Sequence, residues 1–152
     1  MSNNGFSTLV WGPALWTVLH CISFNYPVHP TEEDKNHYFV FMLSLGDVLP
    51  CGVCRRNYMR NLLQLEFSRD KLKDRETFGQ FIYQLHRHIS DLTQGSFDVP
   101  YFKLRENFEI FRAKCGSGSH RGCVSTRCRL VQRIVPPQEG LETFIIDEKC
   151  KE

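Results

Sequence analysis

The sequence predicts an all-α fold: an antiparallel four-helix bundle, a short fifth helix and an irregular C-terminal tail. Three observations carry this. Apolar residues recur at steps of three and four along four long segments. Strict apolar/polar alternation, which would mark a half-buried strand, is not evident before Gly116. The connections between segments are short, which favours antiparallel neighbours. With 152 residues the chain has the length of one domain. A domain of that size buries roughly two-thirds of its unfolded surface and can form a core without cross-links.

The elements follow in order. Pro13 suits the first turn of a helix, and Leu15, Trp16, Leu19 and Ile22 or Ser23 continue at helical spacing. Tyr26-Pro27 ends that segment, because the residue before a proline is pushed out of the α region. Thr31 is a good N-cap, and Glu32, Glu33 and Asp34 put negative charge where the helix dipole favours it. Tyr38 to Leu49 gives an apolar second helix stopped by Pro50. A third helix starts at Cys51-Gly52-Val53-Cys54 and carries Tyr58, Leu62 and Leu65 on one face. The fourth is the clearest, with Phe78, Phe81, Ile82, Leu85, Ile89 and Leu92 in helical register. After Gly95 and Pro100, the spacing of Leu104, Phe108 and Phe111 predicts a short fifth helix. From Cys115 the character changes: Gly116-Ser117-Gly118-Ser119 is linker-like, Pro136-Pro137 breaks any helix, and Leu141–Ile146 suits a short strand or docking segment. Residues 1–114 therefore form the body and residues 115–152 a loosely docked, cysteine-containing tail.

Composition narrows the function. Seven cysteines in 152 residues fall well short of a disulfide-held miniprotein, where the share exceeds about 8–10%. Their number is odd, so one thiol lacks a partner if the rest pair. These cysteines are better suited to chemistry or binding than to holding the fold. No run approaches the roughly 20 apolar residues that span a bilayer, so no membrane partner is expected. Met1-Ser2-Asn3-Asn4-Gly5 has neither a basic nor an apolar targeting region. The net charge of +2 is too small to argue for nucleic acid. Residues 1–113 carry 12 basic and 12 acidic side chains, Arg112 to Arg133 six basic and no acidic ones, and the end from Ile134 five acids.

Cys51 and Cys54 carry the strongest chemical signal. Two cysteines three apart at a helix start can close a disulfide, and the helix N-terminus stabilises a thiolate there. Thiol–disulfide exchange needs that pairing of a nucleophilic with a resolving sulfur. A lone CxxC leaves redox, zinc and structural readings open. Zinc would need a second ligand pair, for which Cys123 with Cys128 and His120 are candidates, making a zinc-stabilised interaction module with a basic, nucleic-acid-contacting arm. A thioredoxin-like framework is absent. Trp16 and His20 share a helix face at i and i+4, and His86 lies on the apolar face of the fourth helix. Singly, each is a core residue; together with a CxxC they suggest a buried planar cofactor. Cys21 reads as a buried small hydrophobe.

Trp11-Gly12-Pro13-Ala14-Leu15-Trp16-Thr17-Val18-Leu19-His20, then Tyr26-Pro27, Cys51-Gly52-Val53-Cys54 and Phe81-Ile82-Tyr83-Gln84-Leu85-His86 resemble the ordered landmarks of the Erv/ALR sulfhydryl oxidases, over roughly residues 6–110. The resemblance implies a helical bundle holding FAD, usually as a homodimer. It makes residues 1–114 the oxidase domain of an FAD-linked thiol oxidase. Gly12, Pro13, Trp16, His20, Tyr26, Cys54, His86, Arg87 and Ile89 would bind the cofactor. Cys51 would be the exposed sulfur attacked by protein thiols, and Cys54 would pass electrons to FAD and onward to O₂, giving hydrogen peroxide. Family members commonly carry a second cysteine pair on a flexible arm. Cys115, Cys123 and Cys128 would be that shuttle here, paired as Cys123–Cys128 or, second, Cys115–Cys123, with Cys150 bridging subunits or free. The chain resembles the compact members encoded by large DNA viruses, which implies a cytoplasmic site, in host cytoplasm or virion.

Two departures stand out. The family usually has HNxVN where this chain has His86-Arg87-His88-Ile89-Ser90, so both asparagines are replaced and Arg87 becomes a candidate for the FAD phosphates. Many members also bracket this motif with two cysteines; the matching places here are Tyr83 and Val99. Apolar packing is expected to replace that staple, which typically contributes about 2–4 kcal/mol.

Overall fold

The computed structural model describes residues 5–112 and the backbone of the strand segments 113–114, 124–125, 130–132 and 144–146. It divides into two units, residues 1–98 and 99–152. The first is built from helices α1 (Thr8–Phe24), α2 (Glu32–Val48), α3 (Gly52–Gln64) and α4 (Arg75–Leu92), with a 3-10 turn at Arg69–Leu72. Helix α1 packs on α4, α2 on α3, and α3 on α4, while the 3-10 turn lies against α2 and α4. The second contains α5 (Tyr101–Glu109) and four short strands, β1 (Ala113–Lys114), β2 (Val124–Ser125), β3 (Leu130–Gln132) and β4 (Phe144–Ile146). Strands β1 and β2 pair antiparallel, as do β3 and β4; β4 falls within the segment expected to suit a short strand.

Helix boundaries follow capping chemistry. Thr31 and Asp34 form a reciprocal capping box: Thr31 Oγ1 accepts the Asp34 N–H at 3.1 Å, and Asp34 Oδ2 accepts the Thr31 N–H at 2.8 Å. Asp74 caps α4 by accepting the Thr77 N–H at 2.8 Å. Helix α1 starts earlier than Pro13 suggests, because Ser7 caps it and accepts the Leu9 N–H at 3.3 Å. Pro13 therefore lies inside the helix, where it removes the donor that the Leu9 carbonyl would otherwise use.

One core runs through the first unit, formed by Leu19, Tyr26, Met42, Leu45, Leu49, Tyr58, Leu62, Leu72, Phe78, Phe81, Ile82 and Leu85. Its buried hydroxyls are satisfied by backbone: Tyr26 Oη donates to the Leu72 carbonyl at 2.9 Å, and Tyr58 Oη to the Met42 carbonyl at 2.8 Å. The buried Arg75 donates through Nε to the Tyr26 carbonyl, tying the end of the α1–α2 connection to α4. The apolar stripe of α4 is buried from Phe78 to Leu85, but Leu92 is 62% exposed. Phe111 lies beyond α5 and is also exposed. Cys21 is exposed rather than buried, since successive helical residues are turned by about 100° and its neighbour His20 takes the inward direction.

In the second unit, Glu109 is buried between two arginines. Arg112 contacts it twice, Nε to Oε2 at 2.5 Å and Nη2 to Oε1 at 2.8 Å, and Arg105 Nε lies 3.5 Å from Oε1. A forked Arg–carboxylate contact of this kind satisfies a charge removed from water.

Phe78→Ala should lower the unfolding free energy by about 3–5 kcal/mol by emptying the core. Thr31→Ala should cost only about 1 kcal/mol, through the lost cap. Urea titration followed by circular dichroism separates the two.

Candidate functional site

Two constellations in the first unit carry chemistry. The first is Cys51–Cys54, which form a disulfide with their Cα atoms 5.1 Å apart. Pro50 stops the chain after α2, and Cys51, extended at φ −153° and ψ 120°, becomes the N-cap of α3. Its sulfur accepts the Cys54 N–H at 3.2 Å. The two sulfurs are inequivalent: Cys51 stands at the mouth of the helix, while Cys54 packs against the core. Arg55 reaches back from the first turn of α3 and donates to the Leu49 carbonyl at 2.6 Å, bracing the entry to the CxxC. Orphan N–H groups and the dipole at this helix end favour the thiolate form of Cys51 once the disulfide opens.

The second lies where α1 meets α4. His20 Nε2 and His86 Nδ1 are 3.0 Å apart, sharing one proton between two imidazoles. Trp16 stacks on His86 with ring centroids 4.0 Å apart and an 11° interplanar angle. Phe97 also stacks on His86, at 3.8 Å and 23°. Burial, with the neighbouring His86 adding to it, lowers the His20 pKa to about 3; burial alone lowers that of His86 to about 4. Both rings are therefore neutral at neutral pH. Charging both would place N–H against N–H across a 3.0 Å contact.

The sequence did not single out Phe97, a lone aromatic in a polar connection. Ser90 seats it: Ser90 Oγ accepts the Phe97 N–H at 3.2 Å, and the Ser90 carbonyl accepts the Gly95 N–H at 2.8 Å. Tyr83, in one of the two staple positions, lies against Phe97 at 5.7 Å, so ring packing occupies that place.

The structure thus brings Trp16, His20 and His86 together. Ile89 packs beside the core one turn further along α4, and Arg87 is exposed on that helix. Pro13 is exposed and Gly12 half-buried on α1. Tyr26 is fully buried in an aromatic cluster with Tyr38 and Phe78, where it serves the core. Cys115, Cys123, Cys128, Cys150 and His120 lie outside the described residues.

These residues fit a planar aromatic cofactor. A partly exposed indole and a neutral imidazole already lie parallel, the arrangement that such a ring system joins by stacking. A Cβ at Gly12 would meet, among the described residues, only Thr8 Cβ, 3.9 Å away. Glycine inside a helix costs about 1 kcal/mol relative to alanine, and at this position the space beside the backbone is open to a ligand.

Comparison with known proteins agrees. Residues 13–109 match the Erv1 / Alr family. This chain belongs to that family. A probable FAD-linked sulfhydryl oxidase of Acanthamoeba polyphaga mimivirus is 37% identical over 83 residues, covering 55% of this chain and 58% of the relative. The mitochondrial FAD-linked sulfhydryl oxidase of Saccharomyces cerevisiae is 23% identical over 95 residues, covering 62% of this chain and 49% of the relative. The matches therefore span about half the length of these two relatives. Among solved structures, the FAD binding domain of yeast Erv1 superposes with a TM-score of 0.59 at 19% identity, covering 67% of this chain and 92% of that one. A double cysteine mutant of yeast Erv1 gives 0.61 at 16%, covering 71% and 88%. These likenesses establish a shared helical fold. The zinc-module alternative finds no support: the chain is an Erv1/Alr member, and Cys51 and Cys54 are bonded to each other.

The histidine pair gives this Erv1/Alr chain an acid sensitivity. Above about pH 6.5 neither the folded nor the unfolded state protonates these rings, and stability is full. As pH falls below that value, the unfolded chain takes up protons that the folded pair refuses until about pH 3–4, so stability is lost. The urea midpoint should fall between pH 7.5 and pH 5, above the range where carboxylates titrate. A His20→Gln, His86→Gln double variant should flatten that fall.

Proposed function

We propose that this chain is an FAD-dependent thiol oxidase that forms disulfides in protein substrates. The observation that carries the reading is the Cys51–Cys54 disulfide capping α3, in a family member that also presents a stacked Trp16–His86 platform. A substrate thiolate attacks Cys51 Sγ, the Cys51–Cys54 bond breaks, and Cys54 leaves as thiolate. A second substrate thiolate then attacks the substrate sulfur of this mixed disulfide and releases Cys51. The substrate gains a disulfide, and the CxxC holds the two electrons as a dithiol. Cys51 is the entry sulfur because it stands at the helix mouth, and Cys54 the inner one because it packs against the core.

When bound, FAD supplies the relay of those electrons to O₂, yielding hydrogen peroxide. Trp16, backed by His86, would hold the ring system by stacking, with His20 orienting His86 through their shared proton. Gly12 and Pro13 would let the ligand approach α1, Ile89 would provide apolar packing, and Arg87 would meet the phosphates. Tyr26 would contribute by fixing the end of α1 against Leu72 and Arg75. In this reading residues 1–114 are the oxidase domain and residues 115–152 an arm in which Cys115, Cys123 and Cys128 relay electrons from bulky clients. The partners are protein thiols and O₂, and the enzyme is a homodimer. Among the described residues no helix is long and apolar enough to cross a membrane. The likeness to a mimiviral protein supports action in host cytoplasm or virion.

The purified protein should be yellow, with flavin absorbance, and consume oxygen when given thiols. Cys54→Ser should abolish that consumption while retaining the colour, and a variant as fast as the parent would overturn the reading. A Cys123/Cys128 double substitution should leave a folded, yellow protein that is slower only with bulky protein substrates.

A further inference from the structure

The chain segment before α1 does not trail away. Gly5 forms an antiparallel bridge with Cys51. The Phe6 N–H donates to the Pro50 carbonyl at 2.8 Å. The Phe6 carbonyl in turn accepts Trp11 Nε1–H at 3.1 Å, which ties this strap to α1. The approach is close enough to demand glycine: a Cβ at Gly5 would lie 2.1 Å from the Pro50 oxygen and 2.7 Å from the Cys51 Cα. Both are backbone atoms, so no side-chain rotation relieves the clash. The Phe6 side chain is 72% exposed, so the strap acts through its backbone.

We infer that Gly5 and Phe6 are positioning residues for the CxxC: their bridge holds the Cys51 backbone in the conformation that the Cys51–Cys54 disulfide requires. This deepens the thiol-oxidase reading and rests on it. Cys51 sits outside the helix, so the hydrogen bonds of α3 do not fix its φ and ψ. On the α3 side it is held by its own cap contact and by the Arg55 N–H to its carbonyl at 3.0 Å, and on the α2 side its N–H donates to the Leu49 carbonyl at 2.8 Å. The strap adds the restraint from across the chain, at Pro50 and Cys51. Freed from it, Cys51 would sample additional backbone states, and the disulfide, which needs one of them, would lose more than the dithiol, which tolerates several. Preorganisation of this kind raises the effective concentration of one reacting group at another.

The test uses the full-length protein and glutathione redox buffers, with the Cys51–Cys54 state read by differential alkylation and peptide mass mapping. Gly5→Ala breaks the bridge by collision, Phe6→Pro by removing the donor N–H, and Phe6→Ala leaves the backbone bridge in place. The first two should lower the effective concentration of the disulfide by about tenfold, the order expected for freeing one residue's backbone. Phe6→Ala should match the parent. An effect in only one of the bridge-breaking variants, in neither, or equally in Phe6→Ala would overturn the inference. If Gly5→Ala fails to fold by circular dichroism, Phe6→Pro against Phe6→Ala decides alone. The equilibration is carried out without oxygen, so no electrons drain from the glutathione–CxxC exchange to O₂; its outcome stands apart from the oxidase reading, which fails instead if the parent consumes no oxygen with thiols.

Discussion

The contact of α1 with α4 is the constraint on which the site depends. It is polar at its centre: His20 and His86 share a single proton in a buried place where neither can hold a second without loss. A buried donor or acceptor left unmatched costs about 1–3 kcal/mol, so the two helices are tied to a register in which those nitrogens face one another. A slide along the seam would break this bond and unstack Trp16 from His86 together. The same interaction therefore sets helix register and the orientation of the aromatic platform. Apolar packing alone tolerates small shifts; a shared proton does not.

The sulfur pair is placed by a different logic. Its inequivalence comes from the boundary of α3, where Pro50 interrupts the chain and Cys51 caps while Cys54 already faces the core. A disulfide spanning this boundary has one end in flexible backbone and one in rigid helix. Its outer end gains rigidity from Gly5 and Phe6, distant in sequence, and its inner end from the core. Arg55, bonded to the Leu49 carbonyl, closes the turn between α2 and α3 from within.

The legible parts of this chain are those governed by local rules. Periodicity located α4, the Thr31 N-cap with its acidic first turn opened α2, and the CxxC after Pro50 opened α3, each through chemistry confined to a few neighbouring residues. The Trp16 and His20 spacing, with His86 on an apolar face, was enough to suggest a shared site. Local rules misled where two competed. Pro13 has the first-turn preference, but Ser7 captures the helix start and leaves the proline inside. Cys21, next to an inward histidine, turns outward because one helical step rotates it away. Leu92 continues the apolar period of α4, yet it lies in the last turn, where it remains exposed. Phe97 and the Gly5 strap had no such pattern, because both act through contacts made only after the chain has folded back.

The family's departures in this chain are best understood as a linked set. The family resemblance implies a bracketing cysteine at position 83 and an asparagine at position 90, where this chain has Tyr83 and Ser90. Tyr83 supplies a ring against Phe97, and Ser90 supplies both the hydroxyl and the carbonyl that fold Gly95 to Phe97 back onto α4. Neither replacement alone would seat Phe97: the ring contact lacks direction, and a single hydroxyl contact leaves the backbone free to swing. Together they fix one face of His86, whose other face is covered by Trp16 and whose Nδ1 is engaged by His20. Non-covalent packing thus does locally what a disulfide does by constraining the unfolded chain. The difference matters in a reducing environment, because a restraint built from Tyr83, Ser90 and Phe97 is indifferent to redox state, whereas the Cys51–Cys54 disulfide is not.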